Sequence, residues 1–165
     1  MIASRIDTDR LVLLPLRVRY AEEMAEVLAD PGLYAFIGGE PPTAAALAAR
    51  YERQTAGSPD PSEVWLNWVI SSLEDDALVG YVQATVNQPD KLAEVAWVVG
   101  TSWQGRGYAK EAARALVGWL EDRGVRRVVA HVNPDHVASA QVAAAAGLVR
   151  TDHLHDGEYR WQRDL

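Results

Sequence analysis

Three β-rich runs in quick succession constrain this chain more than any other feature. Residues 64–70, 78–86 and 92–99 are separated only by short polar turns, Glu74-Asp75-Asp76 and Gln88-Pro89-Asp90. Connections that short leave no room for a crossover, so the three runs must pair as an antiparallel meander. The next β-rich run, residues 127–132, follows a glycine loop and a helical stretch over 108–123. In that stretch Ala109, Ala112, Leu116 and Leu120 recur at helical spacing, and Gly124 supplies the stop. A strand, a helix and a second strand in this order make a parallel, right-handed crossover. The chain therefore has to build a mixed sheet.

The remaining elements fit around it. Residues 11–16 are short and apolar and read as a first strand. Residues 21–29 read as a helix with Met24, Val27 and Leu28 on one face and Pro31 closing it. Thr43 is a good N-cap for a second helix to about Gln54, with Leu47, Ala48 and Tyr51 on one stripe. Asn133-Pro134-Asp135 begins a last helix that runs through the alanines to Gly147. Residues 148–154 and 158–162 form a hairpin around His155-Asp156-Gly157. The expected fold is α+β in the order β-α-α-β-β-β-α-β-α-β-β, with about seven strands, mostly antiparallel.

Composition narrows the function classes. A chain of 165 residues is one domain's worth, so a single domain over 1–165 is expected. At 48% hydrophobic and 24% charged it is neither disordered nor of low complexity. The formal net charge of −7 disfavours a nucleic-acid partner, which needs a basic face. Without cysteine there is no disulfide framework, no thiolate nucleophile and no Cys-based zinc site. No apolar run approaches the ~18 residues of a membrane span, and the first ten residues lack a signal-peptide layout. A cytoplasmic protein with no membrane partner is expected. There is no internal repeat, and Ala56 to Ser62 is the loosest stretch, a surface loop.

The chemistry concentrates in Gln104-Gly105-Arg106-Gly107-Tyr108-Ala109, between a strand and a helix. Two glycines admit positive φ and let a ligand approach the backbone closely. The free N–H groups of a helix start make an anion site, so the expected ligand is a phosphate or pyrophosphate. Arg106 adds a positive charge in an acidic chain, with Lys110 one turn on. A bare Gly-x-Gly also occurs in plain strand-to-helix turns. The dinucleotide fingerprint fails because position 110 is Lys where a third glycine is needed, and no Gly-Lys-Ser/Thr loop is present.

This loop resembles the coenzyme motif of the GNAT superfamily of acyl-CoA-dependent N-acyltransferases, Gln/Arg-x-x-Gly-x-Gly/Ala. The resemblance sharpens to the branch of ribosomal-protein N-terminal (alanine/serine) acetyltransferases. Trp103-Gln-Gly-Arg-Gly-Tyr-Ala-Lys-Glu-Ala112 is similar to that branch's W-G-K-G-Y-A-T-E-A stretch. Thr8-Asp-Arg-Leu-Val-Leu-Leu-Pro-Leu16 resembles its opening, and Ala29-Asp-Pro31 and Ile37-Gly-Gly39 its first helix end and turn. Asn133-Pro-Asp-His-Val-Ala-Ser139, Ala146-Gly-Leu148 and Asp156-Gly-Glu158 resemble its C-terminal segments. Leu14 departs from the usual Arg, His136 from the usual Asn, and Leu148 from the usual Phe.

The resemblance implies a geometry and a reaction. The fourth and fifth of the seven strands, 92–99 and 127–132, should splay apart, with helices on both faces of the sheet. The pantetheine of acetyl-CoA would lie in the gap against the backbone of Trp97, Val98 and Val99. The pyrophosphate would sit on the N–H groups of Gln104, Gly105, Arg106, Gly107, Tyr108 and Ala109, with Arg106 and Lys110 adding charge. Asn133, His136 and Ser139 would face the coenzyme, the His136 contact being the one that the substitution puts in question. Glu94 is the candidate base, directly or through water, and otherwise an ion-pair partner or an exposed polar residue. Ser139 is the candidate donor to the leaving thiolate, or otherwise a first-turn serine bonding its own backbone. No tyrosine follows Ser139 in that segment, and Tyr159 is a poor substitute.

The partners implied are acetyl-CoA and a primary-amine acceptor, with no metal; a homodimer stays open. An acyl-CoA-binding sensor that kept the loop and lost the chemistry is the alternative. His131, His136, His153 and His155 make no ligand pair at helical spacing, and His153 and His155 read as exposed turn residues. Among Trp65, Trp68, Trp97, Tyr34 and Phe36, some should line an acceptor pocket and most should be core.

Overall fold

The computed structural model describes all residues, 1–165. Eight strands form one sheet: β1 (Ile6–Asp7), β2 (Leu11–Pro15), β3 (Glu63–Ser72), β4 (Ala77–Asn87), β5 (Leu92–Val99), β6 (Arg127–Val132), β7 (Val149–His155) and β8 (Glu158–Asp164). Their spatial order is β1-β2-β3-β4-β5-β6-β8-β7. Four α-helices accompany them: α1 (Ala21–Val27), α2 (Ala44–Ala56), α3 (Tyr108–Glu121) and α4 (Val137–Ala145). The meander β3-β4-β5 is antiparallel, as its short turns require. The extra strand beyond the expected seven is β1, two residues long and too short to carry a pattern. The expected fourth and fifth strands are therefore β5 and β6.

Every neighbouring pair is antiparallel except β5 and β6, which the α3 crossover joins in parallel. Their pairing covers only Leu92↔Arg127, Ala93↔Val128 and Glu94↔Val129. Beyond Glu94 the two strands separate. β5 continues along β4 as far as Val99↔Gly80, and β6 continues along β8 as far as Val132↔Tyr159. The facing edges of β5 and β6 then carry backbone groups without a ladder partner, and a cleft opens between them.

Alternation along the strands buries both faces. On one face, Leu66, Trp68, Ile70, Val82 and Val95 pack with Ala112, Ala113, Leu116 and Leu120 of α3 and Val142 and Ala143 of α4. On the other, Val69 and Leu78 pack with Met24 of α1 and Leu47 and Tyr51 of α2. Trp68 is wholly buried, meets Trp119 edge-on at 5.1 Å, and donates its indole N–H to the Ser4 carbonyl at 2.8 Å. α2 starts as the sequence indicates, Thr43 Oγ1 accepting from the Ala46 N–H at 3.1 Å. α4 starts later than expected, at Val137. Asn133 Oδ1 accepts from the Asp135 N–H at 2.9 Å and folds the segment into an Asx turn ahead of the helix.

Candidate active site

The cleft between the diverging strands has a volume of about 500 Å³. Its floor is the end of β5, one wall is β6 with the start of α4, and its head is the loop before α3. Of the residues singled out in the sequence, Trp97, Val98, Val99, Gln104, Gly105, Gly107, Tyr108, Ala109, Lys110, Asn133, His136 and Ser139 all line it. Arg106 and Glu94 do not. Arg106 turns instead to Asp75 in the β3–β4 turn, Nη1 to Oδ2 at 3.6 Å.

The head of the cleft presents a row of free donors. None of the backbone N–H groups from Gly105 to Lys110 donates to an acceptor within the chain; the first to do so is Glu111, to the Gly107 carbonyl at 3.1 Å. Gly107 caps α3 at φ +79° and ψ +13°, and Gly105 also has φ +79°. Few side-chain-bearing residues adopt that conformation, and it is what turns this row of donors inward. The loop N–H groups and the α3 macrodipole reinforce one another. Gln104 ties the loop to the strand, its Nε2 donating to the Val99 carbonyl at 3.0 Å.

A staple behind the loop explains two separated motifs. Thr8 and Arg10 lie in the turn between β1 and β2, and Glu111 in the first turn of α3. Thr8 Oγ1 donates to Glu111 Oε2 at 2.6 Å, the Arg10 N–H to the same oxygen at 2.9 Å, and Arg10 Nε to Oε1 at 2.8 Å. Arg10 Nη1 donates to the Arg106 carbonyl at 2.8 Å, and the guanidinium lies 4.9 Å from the centre of the Tyr108 ring. Burial pushes the Glu111 carboxyl up, but the hydrogen bonds from Thr8 and Arg10 outweigh it and hold the group below its ordinary range. A carboxyl depressed by folding stabilises the fold above its unfolded pKa, and that contribution is lost as pH falls through the folded value. Urea unfolding should therefore show stability dropping on the acid side of the glutamate range. Glu111→Gln should flatten that drop and cost about 1–2 kcal/mol at neutral pH. An unchanged acid limb in Glu111→Gln would remove the staple from the stability of the loop.

On the α4 side, Trp97 Nε1 donates to Ser139 Oγ at 3.1 Å. The serine oxygen thus accepts from the indole, leaving its own proton free to donate. His136 stacks on Phe36 with ring centroids 4.4 Å apart and planes 10° from parallel. Burial lowers the pKa of this imidazole and favours the neutral ring, which suits an aromatic stack. Phe36, with Leu33 and Ile37, comes from the α1–α2 connection and lines the cleft opposite α4. Of the aromatics considered from sequence, Phe36 and Trp97 line the cleft. Trp68 is core, Trp65 lies outside the cleft, and the Tyr34 hydroxyl donates to the Leu28 carbonyl at 2.9 Å.

One residue was missed. His131 of β6 lines the cleft, and its Nδ1 is 3.0 Å from Glu94 Oε1. The crossover puts residues 94 and 131 on adjacent strands, but only the register brings them together. Glu158 of β8 also lines the cleft. No cluster of three His, Cys, Asp or Glu side chains is arranged to hold a metal ion, and no helix is long and apolar enough to cross a membrane.

Comparison with known proteins agrees with this arrangement. Residues 10–149 match the family model described as Acetyltransferase (GNAT) domain. The Bacillus subtilis (strain 168) protein named uncharacterized N-acetyltransferase YnaD is 27% identical over 78 residues. That match spans about half of each chain, 47% of this one and 46% of the relative. Among solved structures, an acetyltransferase (GNAT family) from Bacillus anthracis superposes with a TM-score of 0.82 at 19% identity, covering 98% of each chain. RimL, a ribosomal L7/L12 α-N-protein acetyltransferase in complex with coenzyme A, gives a TM-score of 0.81 at 16% identity, again over 98% of each chain. At these identities the likeness is one of fold.

Proposed function

The chain belongs to the GNAT acetyltransferase family, and from that premise we propose that it moves an acetyl group from acetyl-CoA to a primary amine by direct attack in a ternary complex. The observation that carries the reading is the row of unpartnered N–H groups from Gly105 to Lys110 at the head of a cleft that opens between two strands. An extended thiol-bearing cofactor with a pyrophosphate fits that shape: phosphates on the N–H row, pantetheine along the unpaired edge of β5. Lys110 lines the cleft and supports phosphate binding by charge, whereas Arg106 is engaged by Asp75.

The amine nitrogen attacks the thioester carbon, the C–S bond breaks, and CoA leaves as a good leaving group. A backbone N–H near Val98 or Val99 polarises the carbonyl, and Ser139 donates to the departing sulfur. No cysteine exists to be acylated, so positioning of the two reactants carries most of the task. The amine must attack unprotonated. At pH 7 that costs roughly 4.6 kcal/mol for a lysine amine of pKa ~10.4, and only ~1.4 kcal/mol for an α-amine near 8. An α-amine, such as a protein N-terminus, or another amine of low pKa is therefore the easier acceptor. The acidic chain also attracts a cationic partner.

The test is a panel of peptide α-amines, polyamines and aminoglycosides assayed for free CoA. The expected result is release of CoA with at least one amine and intersecting double-reciprocal lines. Parallel lines would mean an acyl-enzyme and would overturn direct attack. CoA binding without release for any amine would favour the sensor.

A further inference from the structure

One side-chain pair at the edge of the cleft takes no part in the transfer as described above. Glu94 and His131 lie on adjacent parallel strands at the point where the strands part. The last β5–β6 pair is Glu94↔Val129, so His131 is two residues further along the same face of β6. Its ring reaches back to the carboxylate, Nδ1 to Oε1 at 3.0 Å. The imidazole is largely buried and its side chain is 16% exposed, whereas Glu94 is 56% exposed and outside the cleft lining. The ring is thus the cleft-facing member of the pair and the carboxylate stands behind it. With Nδ1–H donating to Glu94, the neutral ring keeps its lone pair on Nε2, which has no partner in the chain.

We propose that His131 is the general base of the transfer, with Glu94 as the positioning residue that fixes its tautomer and stabilises its protonated form. The proposal rests on the transferase reading above. As the amine nitrogen forms its bond to the thioester carbon, its proton passes to His131 Nε2, directly or through one water. The C–S electron pair leaves on sulfur, and the imidazolium later returns the proton to solvent. A carboxylate behind an imidazole is the arrangement that makes this ring a better base while keeping it in place.

Other ionisable groups come from the elements packed around the ring. Glu158 and Arg160 come from β8, Arg160 being the cross-strand partner of His131. His155 of β7 has its ring centroid 5.2 Å away, and its Nε2 is 3.4 Å from Asp156 Oδ2. From α4, His136 lines the same cleft but is stacked on Phe36. The carboxylates of Glu94, Glu158 and Asp156 suit an incoming ammonium.

The experiment is a pH–rate profile of kcat/KM for the amine, read as free CoA, in wild type, His131→Gln and Glu94→Gln, with acetyl-CoA affinity measured by calorimetry on each. His131→Gln should lower kcat/KM by about 10²-fold and remove the inflection that belongs to the imidazole, leaving only the one from the amine's own ionisation, with coenzyme affinity unchanged. Glu94→Gln should keep the imidazole inflection but move it to lower pH, because the protonated ring loses its counter-charge. Added imidazole should restore part of the rate to His131→Ala, which a purely structural role would not allow. A His131→Gln enzyme with the wild-type rate and pH profile overturns the proposal and leaves the transferase reading standing. So does a loss of rate matched by an equal loss of coenzyme affinity. Wild type that binds acetyl-CoA yet acetylates no amine overturns both readings, and is told apart by the wild-type assay alone.

Discussion

Replacing Gly107 by aspartate should weaken coenzyme binding by about 10²–10³-fold while leaving the protein folded. Two physical effects act at this position and they separate cleanly. The backbone sits at φ +79°, which costs a side-chain-bearing residue about 1–2 kcal/mol; aspartate tolerates the left-handed region better than most. A carboxylate at the start of α3 is also favourable to the helix itself through the macrodipole. Folding should therefore survive. The same carboxylate is carried within the row of donors that the pyrophosphate needs, its Cβ 3.4 Å from Arg10 Nη2, and it repels the pyrophosphate's charge. Two like charges about 4 Å apart at an effective dielectric of 20 cost roughly 4 kcal/mol. That corresponds to about a 10²–10³-fold loss of affinity. Gly107→Ala is the companion variant, with a backbone penalty at least as large and no charge. The nearest group to its new methyl would be the flexible Arg10 Nη2, 3.4 Å away. It should lose about 1–2 kcal/mol of stability and no more than about tenfold in affinity. Calorimetric titration of CoA into both variants, with thermal melts beside it, gives the answer. A folded Gly107→Asp protein that binds CoA as wild type does would place the phosphates elsewhere.

The legibility of this site in the sequence followed how local each feature is. The meander was readable because its turns are too short for any other connection. The anion loop was readable because glycine spacing at a helix start is a local statement about φ and free N–H groups, and Gly105 and Gly107 both adopt the positive φ it requires. The roles that depended on long-range contacts were not readable. Arg106 reads from the sequence as a phosphate partner, and only the fold brings Asp75, some thirty residues earlier, to 3.6 Å from it. The Thr8–Arg10 segment resembled a family opening, but its use became visible only when Glu111, a hundred residues on, accepted three of its donors. Asn133 was read as a helix start because an Asx turn and an N-cap draw on the same side-chain chemistry. His131 shows the limit most clearly. Its partner follows from the register of a parallel pair, and register across a crossover helix is set by packing rather than by any turn.

Gly80 should prove the most space-sensitive residue of the sheet, and the reason lies in how the cleft opens. A Cβ built on Gly80 would stand 2.1 Å from the Val98 carbonyl oxygen and 2.9 Å from the Val99 Cα. Both are backbone atoms of β5, so no side-chain rotation can relieve the overlap. β5 leans over Gly80 at its Val98–Val99 end, well beyond Glu94 where its other edge has left β6, and the missing side chain on β4 is what permits that lean. Gly80→Ala must push the Val98–Val99 end of β5 away by an ångström or more, or twist β4 instead. Overpacking of this kind costs about 1–3 kcal/mol, and a backbone clash belongs at the upper end. The displaced segment is the floor of the cleft, so coenzyme affinity should fall together with stability. Gly118→Ala, in the middle of α3 with nothing within 4 Å of the new methyl, is the control. There the substitution should stabilise by about 0.5–1 kcal/mol through helix propensity and leave CoA binding untouched. Melting temperature and CoA affinity measured on the two alanine variants should move in opposite directions for stability and only in Gly80→Ala for affinity. Wild-type values in Gly80→Ala would show that β5 reaches its position without the close approach to β4, and the opening of the cleft would then need another cause.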